Sequence, residues 1–93
     1  MLEKQIENKL TRSVKKAGGI ALKFVSPGFA GMPDRLVLLP DGMCAFVELN
    51  APGKHPRPLQ TVRHRMLQKL GFKVYVIDSA EQIEGVINDI RAT

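Results

Sequence analysis

Two β-rich runs, "RLVLL" at 35–39 and "MCAFVEL" at 43–49, flank the tripeptide "PDG", and this arrangement constrains the fold more than any other feature of the chain. The branched and aromatic residues favour extended backbone, while Pro40, Asp41 and Gly42 supply a tight turn, so the segment predicts a β-hairpin. That turn sets residue 39 opposite 43, and counting back without a bulge brings Asp34 opposite Glu48. Side-chain alternation then places Phe46, Glu48 and Asn50 on one face and Ala45, Val47 and Leu49 on the other. A single inserted residue would shift the pairing by one, so the meeting of Asp34 with Glu48 depends on an unbulged hairpin.

The rest of the chain supplies elements to cover such a sheet. Leu2, Ile6, Leu10, Val14 and Ala17 recur at three- and four-residue spacing, predicting a helix over about residues 2 to 17 that Gly18 and Gly19 stop. "IALKFV" at 20–25 reads as a strand, and "SPGFAGMP" at 26–33 as a loop shaped by its prolines and glycines. "APGKHPRP" at 51–58 is a second rigid, basic loop. Pro58 suits the first turn of a helix whose apolar stripe is Leu59, Val62, Met66 and Leu70. "FKVYVI" at 72–77 is a further strand. Ser79 with Gln82 resembles a capping box, and Ile83, Val86, Ile87 and Ile90 mark the buried face of a terminal helix. The expected order is α-β-β-β-α-β-α, an α/β fold in which helices flank one mixed central sheet. A length of 93 residues gives a single domain over 1–93.

Charge narrows the range of partners. Fourteen Lys and Arg against nine Asp and Glu give a formal charge of +5, which favours polyanions because phosphate contact releases counterions. Lys4, Lys9, Arg12, Lys15 and Lys16 fall early, and Lys54, His55, Arg57, Arg63, His64, Arg65 and Lys69 form a second cluster. A plain solubilising charge is the alternative. Cys44 is the single cysteine, within an apolar run, so it is expected as a buried small hydrophobe and no intramolecular disulfide forms. No stretch reaches the roughly 20 apolar residues of a membrane span, and the N-terminus lacks the apolar core of a signal peptide. An intracellular protein is the expectation.

Chemistry points first to Glu48. A glutamate within an apolar strand costs desolvation energy, and a hard divalent cation compensates for it. Asp34, Glu48 and a nearby backbone carbonyl, that of Leu49, make a donor set for Mg²⁺ or Mn²⁺, which polarises a phosphodiester and lowers the pKa of an attacking water. In the competing reading Asp34 caps a turn and Glu48 pairs with an arginine on an open sheet face. His55 and His64 have no cysteine partners at zinc spacing, so no structural zinc is expected.

The combination "GMPDR" at 31–35, "FVELNAPG" at 46–53 and "PLQ" at 58–60 resembles the PD-(D/E)XK nuclease superfamily and, more closely, its compact VRR-NUC group. The resemblance extends over nearly the whole chain. It implies a restriction-endonuclease-like core and a metal-dependent DNA endonuclease in which Asp34, Glu48, position 50 and Gln60 are catalytic. It also implies a further acidic ligand on the first helix. Glu3 and Glu7 both qualify, Glu3 by its spacing to Ile6. Small members of the group look like homodimers acting on branched DNA such as four-way junctions, which here implies the cytoplasm or nucleoid of a bacterial host. The loop at 26–33, with Phe29 and Met32, is a candidate interface or simply packed loop.

Asn50 departs from the pattern, which has lysine there. An ammonium stabilises developing phosphorane charge or positions the nucleophile, whereas asparagine donates a hydrogen bond without charge and is no general base. A natural variant that works differently, a binder that has lost catalysis, and an engineered substitution that traps an inactive form all fit. Lys54, His55, Arg57, Arg63 and His64 are expected to track phosphates. Arg35 is expected to meet phosphate or order a carboxylate, and Lys23 and Ser26 are weaker candidates.

Overall fold

The structure is a computed structural model that describes residues 2–92. Its elements are α1 (Glu3–Lys16), β1 (Ile20–Lys23), β2 (Arg35–Leu38), β3 (Cys44–Leu49), α2 (Pro58–Lys69), β4 (Val74–Ile77) and α3 (Ile83–Arg91). This is the order expected from the sequence. A tight turn at Pro40–Gly42 joins β2 to β3, and a single 3-10 turn occupies Ala80–Gln82, before α3.

The strands form one mixed sheet in the order β1-β2-β3-β4. The first two pairings are antiparallel, while β3 and β4 run parallel and are therefore joined by a crossover through α2. In the hairpin Asp41 and Gly42 both adopt left-handed backbone, with φ 66 and φ 73 degrees respectively. Asp tolerates that conformation and Gly accepts it without strain. The turn inserts no extra residue. Arg35 pairs with Val47 and Leu38 with Cys44, so the unbulged register continues outward to Asp34 and Glu48.

Alternation divides the sheet into two different faces. Ala21, Val37, Ala45, Val47, Leu49 and Ile77 point to one side and pack on Ile6, Leu10 and Val14 of α1 and Ile83, Ile87 and Ile90 of α3. This is the hydrophobic core. The terminal helix is also fixed at its outer edge, where the Tyr75 hydroxyl bonds the Asp89 carboxylate and Lys73 Nζ donates to the Asp89 carbonyl. Gln82 Oε1 accepts from the backbone N–H groups of Asp78 and Ser79, closing the expected cap.

Among the described elements α2 alone lies on the other face. It buries His64 and Leu67 there, and not the stripe that hydrophobicity picks out: Leu59, Val62 and Leu70 are exposed and Met66 is half-buried. The reason is that α2 has no apolar layer to meet on its far side, and the strand residues beneath it include the polar Glu48. Toward β1 and β2 the described residues leave this face largely uncovered. Ile20, Leu22 and Leu38 are exposed. An edge-to-face row of Phe24, Phe46 and Phe72 crosses the sheet with centroid spacings of 5.6 and 5.8 Å, a favoured geometry for aromatic pairs. Cys44 lies on this second face, half-buried rather than in the core, because alternation from Ala45 turns it away from α1 and α3.

Leu67→Ala should accordingly destabilise the protein by roughly 2–4 kcal/mol, since Leu67 is 4% exposed, whereas Leu70→Ala, at a position 67% exposed, should stay within about 0.5 kcal/mol. Urea denaturation at one fixed protein concentration measures both. Equal losses would mean that the assigned buried face of α2 is wrong.

Candidate active site

Asp34 and Glu48 occupy the same sheet face because they are cross-strand neighbours in the unbulged register. Asp34 leaves the loop directly after the buried Pro33, and its carbonyl accepts the Phe24 N–H at 2.8 Å. Its Oδ1 accepts the Leu49 N–H at 3.1 Å. The carboxylate is thereby held against the end of β3, next to the peptide unit that follows Glu48.

Glu48 is only 4% exposed. Gln60 Nε2 donates to its Oε2 at 3.0 Å, while Gln60 Oε1 accepts the Arg57 N–H at 2.8 Å and closes the first turn of α2. The amide thus joins a helix cap to a buried carboxylate. His64, one turn further along α2 and 7% exposed, sets its Nε2 3.7 Å from Glu48 Oε1. That distance is too long for a hydrogen bond. Glu48 Oε1, His64 Nε2 and Asn50 Nδ2 are all buried without a hydrogen-bond partner among the described residues.

Burial, and after it neighbouring negative charge, shows in the proton affinities. Burial raises the Glu48 carboxyl to about 7. The Asp34 charge adds to the rise and the Gln60 hydrogen bond opposes it. Asp34 is also raised, first by burial, with the Leu49 N–H and Arg35 acting against it. Glu3 pushes both groups upward, so its charge acts on the pair. Glu7 is committed elsewhere: its Oε1 lies 2.5 Å from Arg35 Nη2 and 3.9 Å from Lys4 Nζ. Of the two acidic residues of α1, Glu3 is the one electrostatically tied to the site.

Several sequence expectations change place. Arg35 orders a carboxylate, that of Glu7, and donates Nη1 to the Ala21 carbonyl at 3.4 Å; it is oriented toward α1. His64 is withdrawn from solvent beside Glu48. Its neighbourhood was readable from the four-residue spacing to Gln60, which puts both on one helical face. Arg63 turns to the 26–33 loop, donating Nε to the Ala30 carbonyl at 2.9 Å with its guanidinium 3.8 Å from the Phe29 ring centroid. Phe29 thus meets α2 through Arg63 while its ring stays partly exposed. Lys54, His55 and Arg57 are exposed near the start of α2, and the Arg57 charge lowers the proton affinity of Glu48. Among the described residues the contacts of Glu48 are Gln60 and His64 rather than an arginine, so the reading of an open-face ion pair is set aside.

A divalent cation fits this donor set. Two neighbouring carboxylates of raised proton affinity, one with a buried unpartnered oxygen, gain from a positive charge between them. Among the described residues no group of three or more His, Cys, Asp and Glu side chains is assembled to hold a metal. Backbone oxygen and water would therefore complete the coordination.

The four-stranded mixed sheet, the helices on both faces and the two carboxylates at the β2–β3 strand ends define a restriction-endonuclease-like α/β fold. The chain is similar to a solved structure described as "VRR_NUC domain", with a TM-score of 0.84 and 30% identity over 92% of this chain and 94% of that one. It is also 53% identical over 79 residues, 85% of each chain, to the protein named "Putative nuclease p44" of Acyrthosiphon pisum secondary endosymbiont phage 1. No family model matches the sequence. The chain belongs to the VRR-NUC family.

Stability should respond to pH through Glu48. Its carboxyl rises from 4.5 to about 7 in the folded chain, so between those values the folded state holds a proton that the unfolded state has released. Stability from this group is present at low pH and lost as pH rises through 7. His64, lowered by burial, acts in the opposite sense, and a comparison with Glu48→Gln isolates the carboxyl. In metal-free urea titrations the variant should gain on the parent by up to about 3 kcal/mol between about pH 5 and pH 8. A difference independent of pH would mean that Glu48 titrates as an ordinary surface carboxyl.

Proposed function

We propose that this protein is a metal-dependent endonuclease that hydrolyses phosphodiester bonds in DNA, with branched DNA such as four-way junctions as its substrate class. The observation that carries this reading is the placement of Asp34 and Glu48 side by side at the strand ends, with Glu48 Oε1 buried and unpartnered. The name of the phage relative, a nuclease, supports the reaction class. It also supports the cytoplasm or nucleoid of a bacterial host as the place of action.

Asp34, Glu48 and the Leu49 carbonyl would hold Mg²⁺ or Mn²⁺, with Glu3 adding negative charge or a water-bridged contact. When bound, the cation supplies Lewis acidity toward the phosphodiester and a more acidic attacking water. Gln60 keeps Glu48 in one rotamer by joining it to the start of α2. Asn50, just beyond β3 with its N–H bonded to the Ile77 carbonyl at 2.9 Å, offers a buried Nδ2 donor to a substrate or water oxygen. Lys54, His55 and Arg57 line the approach and neutralise phosphates without reading bases.

A homodimer is part of the proposal. The uncovered sheet face at Ile20, Leu22 and Leu38 is apolar and continuous across β1 and β2, and an isologous pairing there would give two active sites for two strands. Leu22→Asp combined with Leu38→Asp should convert a dimer to a folded monomer in sedimentation velocity. A variant that remains dimeric would place the interface elsewhere.

Asn50 favours a second reading, a non-catalytic DNA-binding protein that keeps the nuclease fold, because an uncharged amide replaces the ammonium of the family pattern. The deciding assay is cleavage of a labelled four-way junction and its matched duplex with Mg²⁺ or Mn²⁺, run on the parent chain and on Asn50→Lys. We expect junction cleavage by the Asn50→Lys chain that Asp34→Ala abolishes, at a rate above that of the parent. If neither chain cuts either substrate, catalysis is refuted and DNA binding becomes the function.

A further inference from the structure

Among the basic residues of α2 and the loop before it, Arg57, Arg65 and Lys69 are exposed, whereas Arg63 is half-buried and already engaged. Its Nε donates to the Ala30 carbonyl at 2.9 Å, and its guanidinium carbon lies 3.8 Å from the Phe29 ring centroid, within reach of a cation–π attraction. Both partners belong to the loop at 26–33. The backbone of that loop also approaches α2 more closely than a side chain would allow. A Cβ at Gly31 would come within 2.8 Å of Leu59 Cγ and 3.1 Å of Arg63 Cγ. Gly31 also has a positive φ, which glycine adopts at no steric cost.

From Gly31 the chain has little freedom before it reaches the site. Three residues span at most about 10 Å, Pro33 has a fixed φ and is buried, and Asp34 follows. The same helix that grips this loop through Arg63 also holds Glu48 through Gln60, three residues earlier. One rigid element therefore sets the positions of both carboxylates, Glu48 directly and Asp34 through the loop.

We propose that Arg63 is a positioning residue that fixes Asp34 against the end of β3 by latching the 26–33 loop to α2, and that it is not a phosphate ligand. The proposal rests on the reading of Asp34 and Glu48 as the metal-binding pair. Its structural part is independent of any metal, because the Leu49 N–H, which donates to Asp34 Oδ1, reports where the Asp34 carboxylate lies.

The experiment compares the parent chain with Arg63→Ala and Arg63→Lys in three measurements. NMR amide exchange of Leu49 is followed in the metal-free protein, with core amides elsewhere in the sheet as controls for folding. Mn²⁺ affinity is measured by calorimetry, and the salt dependence of junction binding is measured without metal. Both variants should speed Leu49 exchange while the core amides keep their protection, and should weaken Mn²⁺ binding about tenfold. The slope of log affinity against log salt should not change. Lysine should fail to rescue, because it keeps the charge but lacks the planar Nε–H that reaches Ala30. Should Arg63→Ala not fold, Arg63→Lys carries the same readouts.

Parent-like Leu49 exchange in the variants overturns the proposal. If the salt slope also falls by about one, with lysine restoring it, Arg63 is a phosphate ligand instead. A parent chain that binds no Mn²⁺ would refute the metal reading, and Leu49 exchange would still decide the role of Arg63.

Discussion

The pairing of β2 with β3 without a bulge is the constraint on which the rest of the site depends. Each strand end carries one carboxylate, and only this register turns both to the face opposite the main core. A slip by one residue would send Glu48 toward Ile6, Leu10 and the α3 isoleucines, where a charged group has no partner. The apolar demand of Ala45, Val47 and Leu49 therefore fixes the acidic face as firmly as it fixes the core. Folding energy and site geometry come from the same alternation.

The two sheet faces divide the work unequally. One face, under α1 and α3, carries the apolar core, with the Arg35–Glu7 ion pair beside it, and supplies cohesion. The other carries α2 alone among the described helices, and there a glutamate, a histidine and an asparagine amide keep buried atoms without partners. Leaving such atoms unpaired is costly, about 1–3 kcal/mol for each buried donor or acceptor. That cost is tolerable because the core on the far side is independent of it. It also leaves the site in a state that a cation or a phosphate-bearing substrate would relieve, and such latent demand is a common property of binding sites.

Helix α2 is the organising element of that second face. Gln60 serves its N-terminal cap and Glu48 at once, His64 and Leu67 close over the sheet, and Arg63 reaches the loop that delivers Asp34. Its outward apolar residues leave a surface that α2 does not itself cover. The basic charge of the chain is accordingly of two kinds: residues committed to structure, such as Arg35 with Glu7 and Arg63 with Ala30, and exposed residues such as Lys54 and Arg57 that remain available to a polyanion.

Alternation and turn chemistry are local, so the order of elements, the hairpin register and the shared face of Asp34 and Glu48 followed from the residues themselves. The family pattern in "GMPDR", "FVELNAPG" and "PLQ" agreed with the fold for the same reason, since it encodes strand ends and a helix start. Which side of α2 is buried could not be read this way. Leu59, Val62, Met66 and Leu70 form the better apolar stripe, yet the partner surface on the sheet is partly polar, and Gln60, His64 and Leu67 match it. The engagement of Glu7 was likewise set at a distance, by the Arg35 side chain reaching α1 from β2. Periodicity in the sequence determines which residues share a face; only packing in three dimensions decides what that face meets, because a helix is oriented by the surface it lands on.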